Sequence, residues 1–317
     1  MVARQASHNR ARMIDDRRGS PGNDTRPAVP PRRPWRRLGL SLVAAVRGRA
    51  GAAALGRERV AAVNFSDPMA PRFAGERGGA RAVEPERAEL RVVTFNIEHA
   101  REVDGAIRLF HGTLPLRDPD FLMLQEMDED GVRRIAAALS LAHWIYYPAT
   151  VSRSRGRNFG NAILSRWPLE DDAKLILPHL AWRHGKQRIA VRATARIGER
   201  RVRLYSFHLA TVIEQLPAAR RDQALAVVAD ADASQDPVIM AGDTNAPGLW
   251  KLFDRRGYRC LSRRLGGTAG RFAIDHVFVR GLDLRALPPA RGVVRGHDEV
   301  SDHRPVWVTL RWEPPSP

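Results

Sequence analysis

Short apolar runs that end in polar residues recur along the second part of the chain. Runs of this length, rich in Val, Ile, Leu and Phe, are typical of buried strands. Three other stretches, residues 104–111, 129–141 and the alanine-rich 215–233, place their apolar side chains at helical spacing instead. The predicted strands cover residues 90–97, 121–125, 162–164, 189–197, 202–208, 238–241, 272–279 and 306–310.

The order of these elements indicates a fold class. Helices alternate with strands early in the region, and strands dominate its middle. This order predicts an α/β protein in which two sheets pack face to face with helices outside. Residues 89–317 are long enough to form one such domain.

Residues 1–88 differ from the rest in composition. They are rich in Arg, Pro, Gly and Ala, and few large apolar residues recur at any period, so they predict a basic, disordered tail. This tail holds 18 Arg against eight acidic residues, a large share of the formal net charge of +17. The alternative is a basic arm that contacts nucleic acid or anionic lipid.

Signals for location and assembly are weak. Residues 38–46 form a short apolar stretch flanked by Arg, far below the roughly 18–20 residues of a bilayer-spanning helix. Cys260 is the only cysteine, which excludes an internal disulfide and a cysteine-based zinc site. We expect a cytoplasmic monomer with no stable protein partner. The alternative for its location is that residues 38–46 act as a signal or anchor.

Polar side chains lie within the apolar runs or next to them. Most of them are at the ends of predicted strands, where loops present functional groups. A set of carboxylates with few histidines and no thiol suits a hard cation with oxygen ligands, so we predict Mg²⁺, with Mn²⁺ as an alternative. Such a set is adequate for metal-assisted attack of water on phosphorus. The residues are Asn96, Glu126, His208, Asp243, Asn245, Asp275, Asp302 and His303.

Six segments carry these residues, and their order resembles the endonuclease/exonuclease/phosphatase superfamily, which includes deoxyribonucleases, apurinic endonucleases, sphingomyelinases and inositol-polyphosphate phosphatases. The motifs span residues 94–306, and the resemblance implies a four-layer α/β sandwich of two mixed β-sheets with the site at one edge. The segments are Thr94-Phe95-Asn96-Ile97, Leu124-Gln125-Glu126, Phe207-His208-Leu209, Gly242-Asp243-Thr244-Asn245, Ile274-Asp275-His276 and Ser301-Asp302-His303-Arg304-Pro305-Val306.

The resemblance also implies roles around the metal and the water. Glu126 would be the principal Mg²⁺ ligand, with Asn96 beside it and Asp302 binding or lying near the metal. Asp243 would orient or deprotonate the attacking water. Asn245 would help to hold the scissile phosphate.

Two histidines complete the implied site. His303, oriented by Asp275, would contact the phosphate, and His208 would face the phosphate or the leaving oxygen. The family permits either His303 or Asp243 as the base, and the sequence leaves this open.

Residues that choose the substrate are less clearly marked. Arg155 and Arg188 lie in two basic stretches, residues 152–157 and 183–188, which would either meet flanking phosphates or remain solvated loops. Asn161 lies in a segment that resembles a family segment near the site, with a turn or structural role as the alternative. We find no long apolar insertion for a lipid surface and no basic-aromatic stripe for single-stranded nucleic acid.

The sequence therefore predicts a Mg²⁺-dependent hydrolase of a phosphoester, foremost a phosphodiester cut in the manner of a nuclease, with nucleic acid as the leading substrate and with endonuclease or exonuclease cleavage left open. A phospholipid head-group phosphodiesterase or a phosphomonoesterase of the same fold is the alternative. A non-catalytic binding module that uses the basic arm belongs to a different class, and the complete set of site residues argues against it.

Overall fold

The structure is a computed structural model that describes residues 62–76, 87–153, 155–282 and 290–311. The apolar stretch at residues 38–46 and most of the predicted tail lie outside the described residues. Among the helices that the structure describes, none is long and apolar enough to cross a membrane.

Within the described residues, thirteen strands form one sheet of seven strands and one of six. The larger sheet has the order β1-β4-β5-β3-β2-β13-β12, and the smaller has the order β10-β11-β9-β8-β7-β6. The strands are β1 (Phe73–Glu76), β2 (Glu89–Asn96), β3 (Phe121–Met127), β4 (His143–Val151), β5 (Asn158–Ser165), β6 (Leu169–Ile176), β7 (Ile189–Ile197), β8 (Arg200–His208), β9 (Val238–Asp243), β10 (Arg259–Cys260), β11 (Asp275–Arg280), β12 (Arg291–Val293) and β13 (Val306–Arg311).

Helices cover the outer face of each sheet. On the larger sheet lie α1 (Val103–Gly112) and α2 (Glu129–Ala138), whose buried side chains pack against residues such as Phe95 and Leu124. On the smaller sheet lie α3 (Pro217–Asp232) and α4 (Trp250–Arg255), which pack against Phe207 and Phe278. A third core fills the space between the sheets; it consists mainly of Val, Ile, Leu and Ala and includes Phe121, Tyr147 and Trp167. The predicted four-layer sandwich is confirmed.

Each sheet contains one parallel pair of strands near its centre, and this pairing positions the site. β2 runs parallel to β3 in the larger sheet, and β8 runs parallel to β9 in the smaller one. Parallel strands end at the same edge of a sheet, so residues that follow them are brought together. The polar residues at the ends of these four strands therefore meet at one edge of the sandwich.

Part of the predicted tail belongs to the fold. β1 pairs antiparallel with β4, and the buried Lys174 donates from Nζ to the carbonyl oxygens of Phe65 and Ala70 at 2.6 and 2.8 Å. The predicted boundary between residues 88 and 89 is therefore wrong for residues 62–76. This segment is held by backbone hydrogen bonds and a buried ammonium group, which apolar periodicity does not reveal.

Candidate active site

Four strand ends converge at the edge of the two sheets. Asn96 and Glu126 come from β2 and β3, and His208 and Asp243 come from β8 and β9, where they pair directly across the ladder. His208 Nε2 lies 3.5 Å from Asp243 Oδ2 and 3.8 Å from Glu126 Oε1. Residues from both sheets thus face each other across a few ångströms.

The backbone around Glu126 is strained. The pairing of β3 with β5 shifts register between Leu124 and Met127, and Glu126 sits in this irregularity with φ of 60°. The turn Glu98–Ala100 also has positive φ at each of its residues, and His99 N donates to Glu126 Oε2 at 3.0 Å. Non-glycine residues adopt this region at a cost, and active sites are one of the places where such strained residues cluster. The bulge turns the Glu126 carboxylate toward the strand ends.

Asn96 links the two sheets. Its Nδ2 lies 3.4 Å from Glu126 Oε1 and 3.2 Å from Asp243 Oδ2, while its Oδ1 accepts from Glu98 N. Ser301 Oγ donates to the carbonyl oxygen of Asn96 at 2.7 Å and fixes the position of this residue. The amide hydrogens face the two carboxylates, so Asn96 orients them, and it would offer its oxygen to a cation only after the amide plane turns over.

Asp275 and His303 form a buried pair. His303 Nδ1 lies 2.9 Å from Asp275 Oδ2, and His303 Nε2 lies 3.7 Å from Asp243 Oδ2. Burial opposes the charged imidazolium, but Asp275 and Asp243 outweigh it and raise the pKa of His303 well above its ordinary value. The ring is therefore held as a cation between two carboxylates.

His208 is held in the opposite state. Burial, and then the Arg188 guanidinium, lower the pKa of His208 well below its ordinary value, so the ring is neutral. Arg188 Nη1 lies 3.0 Å from Nδ1 and 2.9 Å from Nε2 of this ring, and Arg188 Nη2 donates to Glu214 Oε2 at 2.5 Å. Arg188 was predicted to meet the substrate. It is instead buried, contacts His208, and has its positive charge balanced by Glu214.

Asp243 is the most enclosed carboxylate of the site. Burial raises the pKa of Asp243 above its ordinary value, His303 opposes this shift, and Asp275 adds to it. Asn245 N donates to Asp243 Oδ1 at 2.7 Å, and Asn245 Nδ2 donates to the carbonyl oxygen of Leu209 at 2.9 Å. A carboxylate fixed in this way and raised in pKa is suited to accept a proton from water.

Asn161 and Arg155 lie differently from the sequence prediction, and the position of Asp302 is compatible with it. Asn161 is buried between the sheets, and its Nδ2 donates to the carbonyl oxygens of Ile189 and Ser206, which is the structural role left as its alternative. Arg155 is exposed on the loop that leads into β5, where it lines a surface pocket together with Asp128 rather than with the residues of the four strand ends. Asp302 is exposed and within electrostatic reach of Glu126.

Four residues at the site were not predicted from the sequence. His99 lies 3.6 Å by its Nε2 from Glu126 Oε2, and its ring contacts Phe159 at a centroid distance of 4.9 Å. Lys186 Nζ lies 5.5 Å from the centre of the same Phe159 ring, and Glu214 balances Arg188. Two of them had a signal in the sequence, because His99 follows Asn96 by three residues and Lys186 lies in the basic stretch 183–188. Phe159 and Glu214 are brought in by tertiary packing.

The residues present fit a divalent cation with oxygen ligands. Asp243, Asp275 and His303 offer ligand atoms within 4.8 Å of one another, and because the pKa of His303 is raised, a cation bound there would have to displace the proton of this ring. Glu126 also presents a carboxylate, and within the described part of the chain its nearest ring nitrogens are those of His99 at 3.6 Å and His208 at 3.8 Å. Carboxylate and amide oxygens are ligands that hard divalent cations prefer.

The comparisons with known proteins agree with this fold. Residues 93–303 match the model of the Endonuclease/Exonuclease/phosphatase family. The chain therefore belongs to the endonuclease/exonuclease/phosphatase family, as its motifs indicated. Members of this family hydrolyse phosphoester bonds and in general depend on a divalent metal. No similar sequence was found among curated proteins.

Solved structures share the fold. An endonuclease/exonuclease/phosphatase from Beutenbergia cavernae is 22% identical, covers 71% of this chain and 72% of its own, and has a TM-score of 0.53. D. rerio TDP2 in complex with a single-strand DNA product is 16% identical over 70% and 99% of the two chains, with a TM-score of 0.54. The mannosyl-6-phosphatase Bt3783 of Bacteroides thetaiotaomicron is 19% identical over 69% and 98%, with a TM-score of 0.51.

Proposed function

We propose that this protein hydrolyses a phosphodiester with the help of Mg²⁺, Mn²⁺ being the alternative cation. The observation that carries the proposal is the buried series Asp275, His303 and Asp243, with contacts of 2.9 and 3.7 Å, at the sheet edge where Glu126 ends its bulged strand. The neutral His208 and the cationic His303 both lie beside the Asp243 carboxylate. This division of roles suits proton transfer beside a phosphoryl group.

The site holds more acidic than basic side chains. Among the described residues, Arg188 is balanced by Glu214, whereas His303 and Lys186 add positive charge near the strand ends. Glu126, Asp243 and Asp275 oppose them, with Asp302 close by. This excess of carboxylates is the charge that the proposed divalent cation would offset.

Each residue has a definite task in this proposal. Glu126 would hold the cation, which supplies a Lewis acid that polarises the phosphoryl oxygens. Asn96 orients the Glu126 and Asp243 carboxylates. Asp243 accepts the proton of the attacking water, because His303 is already protonated in this arrangement. The sequence left the base open between His303 and Asp243, and the proposal assigns this role to Asp243.

The remaining groups act on the phosphate and the leaving group. The imidazolium of His303, held by Asp275, faces negative charge that develops on the phosphoryl oxygens. The neutral His208 can donate a hydrogen bond toward the same region. Asn245, whose amide is oriented by Leu209, keeps one amide hydrogen for a phosphoryl oxygen.

The test is a substrate panel with purified full-length protein. Plasmid DNA, RNA, sphingomyelin, phospholipid vesicles, inositol phosphates and an aryl phosphodiester are each incubated with Mg²⁺ and with EDTA. We expect hydrolysis of at least one diester that EDTA abolishes and Mg²⁺ restores. Hydrolysis of monoesters alone, or equal rates with EDTA, would contradict the proposal.

A further inference from the structure

Two loops beside the active site expose apolar side chains to solvent. Leu180 and Trp182 lie on the loop between β6 and β7, and Val212, Ile213 and Leu216 lie on the loop between β8 and α3. Their relative exposures range from 48% to 60%. We call these five residues the apolar rim. Contiguous exposed apolar surface of this kind marks an interaction site.

The two loops form one surface. Trp182 Nε1 donates to the carbonyl oxygen of Ile213 at 2.6 Å, and Trp182 N donates to the carbonyl oxygen of Glu214 at 3.3 Å. Gln215 Nε2 donates to the carbonyl oxygen of Leu180. The backbone of one loop is therefore tied to the side chains of the other, and the apolar groups are held outward together.

The rim is connected to the catalytic residues. Its second loop follows His208 directly along the chain. Between its apolar residues that loop carries Glu214, whose Oε2 accepts from Arg188 Nη2, and Arg188 contacts the His208 ring. The apolar rim is therefore linked to the catalytic residues both along the chain and through Glu214 and Arg188.

Most of the exposed charge around the rim is positive. Arg183 is exposed between Trp182 and Lys186, and Lys186 is half-buried next to the Phe159 ring. Arg221 is exposed in the first turns of α3, and the neighbouring Asp222 is engaged by His179 at 2.9 Å. Exposed Arg and Lys around an apolar tip complement an anionic surface.

We propose that the apolar rim docks on an anionic phospholipid bilayer and that the site acts on the phosphodiester of a phospholipid head group. Four of the five rim side chains are aliphatic and have no π face on which a nucleic-acid base could stack. Aliphatic groups with one Trp, surrounded by Arg and Lys, are the composition of a membrane-interface anchor.

The substrate part of this inference rests on the proposed function, whereas the docking part does not. The sequence alone revealed no apolar insertion, because each loop contributes only two or three apolar residues. The surface exists only after the fold has joined the two loops.

Flotation of the full-length protein with vesicles tests the docking. The vesicles contain phosphatidylcholine with or without phosphatidylglycerol, in low salt and in about 0.5 M NaCl, where the Debye length is about 4 Å. We expect binding to the anionic vesicles that persists in high salt, because apolar insertion is not screened. The variant with Leu180→Gln, Ile213→Gln and Leu216→Gln should bind at least about tenfold more weakly.

The matched control is Leu114→Gln, which changes an exposed apolar side chain outside the rim and should bind like wild type. Melting temperatures establish that each variant is folded. Trp182 supplies a second readout, a blue shift of its fluorescence on vesicles that Trp182→Phe abolishes. Unchanged vesicle binding by the triple variant, binding that vanishes in high salt, or loss of nucleic-acid binding instead would overturn the docking.

Activity separates this inference from the proposed function. The triple variant should lose at least about tenfold of its rate on vesicle phospholipid and keep its rate on a soluble aryl phosphodiester. Hydrolysis of the soluble diester without vesicle binding would overturn the docking alone. Vesicle binding without hydrolysis of any diester would overturn the proposed function and the substrate assignment, and would leave the docking supported.

Discussion

Removing the charge of Asp275 should disable His303. The two residues are 28 positions apart in the chain, yet His303 Nδ1 lies 2.9 Å from Asp275 Oδ2, and both side chains are buried. Asp275 is the largest influence that favours the imidazolium. Asp275→Asn keeps the shape and removes the charge, so we expect the pKa of His303 to fall and the rate to drop by about two to four orders of magnitude.

The same reasoning fixes the effect of the double variant. Because Asp275 acts through His303, its removal should matter little once the imidazole is gone. We expect His303→Ala to lower the rate by a similar two to four orders of magnitude, and the double variant to be within about threefold of His303→Ala alone. Rates of all four proteins on one aryl phosphodiester at saturating Mg²⁺ measure this, and NMR of the imidazole reports the pKa of His303.

Asp298→Asn is the matched control. It makes the same substitution in the His303 segment, at a carboxylate that pairs with Arg304 at 3.3 Å in an exposed position. Its rate should stay near that of wild type. If the losses from Asp275→Asn and His303→Ala multiply in the double variant, each residue acts on its own, and the proposed dyad is refuted.

Three further changes should alter stability. His276 is buried, and burial lowers its pKa to about 4. Folding favours the neutral ring, so the stability that His276 contributes is full above about pH 6.5 and is lost as the pH falls toward 4, which changes the free energy of unfolding by about 2–3 kcal/mol. Denaturant titrations should show this pH dependence in wild type and not in His276→Gln. Removing residues 1–57 should leave the melting temperature unchanged. Removing residues 1–86 deletes β1 and two carbonyl partners of Lys174, so this truncation should lower the melting temperature by about 5–10 °C. Gly242→Ala would place a Cβ 2.0 Å from the carbonyl oxygen of Phe207, between β8 and β9, and should lower both the melting temperature and the activity, with a cost of about 2 kcal/mol or more.

Each expectation has a contradicting result. A wild-type stability curve that is flat between pH 6.5 and 4.5 would show that His276 is not held neutral. Equal melting temperatures for the two truncations would show that residues 62–76 add nothing to the fold. If Gly242→Ala kept wild-type stability and activity, the strands β8 and β9 would have room for the added Cβ, and the expected clash with Phe207 would be refuted.

The interior strands were predictable because burial on both faces leaves continuous apolar runs. β7 was predicted with its observed bounds, Ile189–Ile197, and β2 within one residue at each end. β4 was missed because Pro148 interrupts it at a bulge. β6 was missed because it is an edge strand with charged residues and a bulge near Asp171.

The candidate site was predictable where its residues end parallel strands. The positions of Asn96, Glu126, His208 and Asp243 follow from local pattern, because each closes an apolar run. Glu214 could not be found in this way, since it lies in a loop and reaches the site through Arg188. Contacts of this kind depend on tertiary packing, and no local periodicity encodes them.

The cation dependence of Glu126→Gln tests the central claim most directly. The rate on an aryl phosphodiester is measured against Mg²⁺ concentration for wild type, for Glu126→Gln and for Glu299→Gln, a control at an exposed carboxylate. Glu126→Gln keeps the size of the side chain and removes the charge, so the fold should persist. We expect Glu126→Gln to need far more Mg²⁺ and to lose about two or more orders of magnitude in rate, while Glu299→Gln follows wild type. A Glu126→Gln protein that cleaves at the wild-type rate in limiting Mg²⁺ would contradict the account.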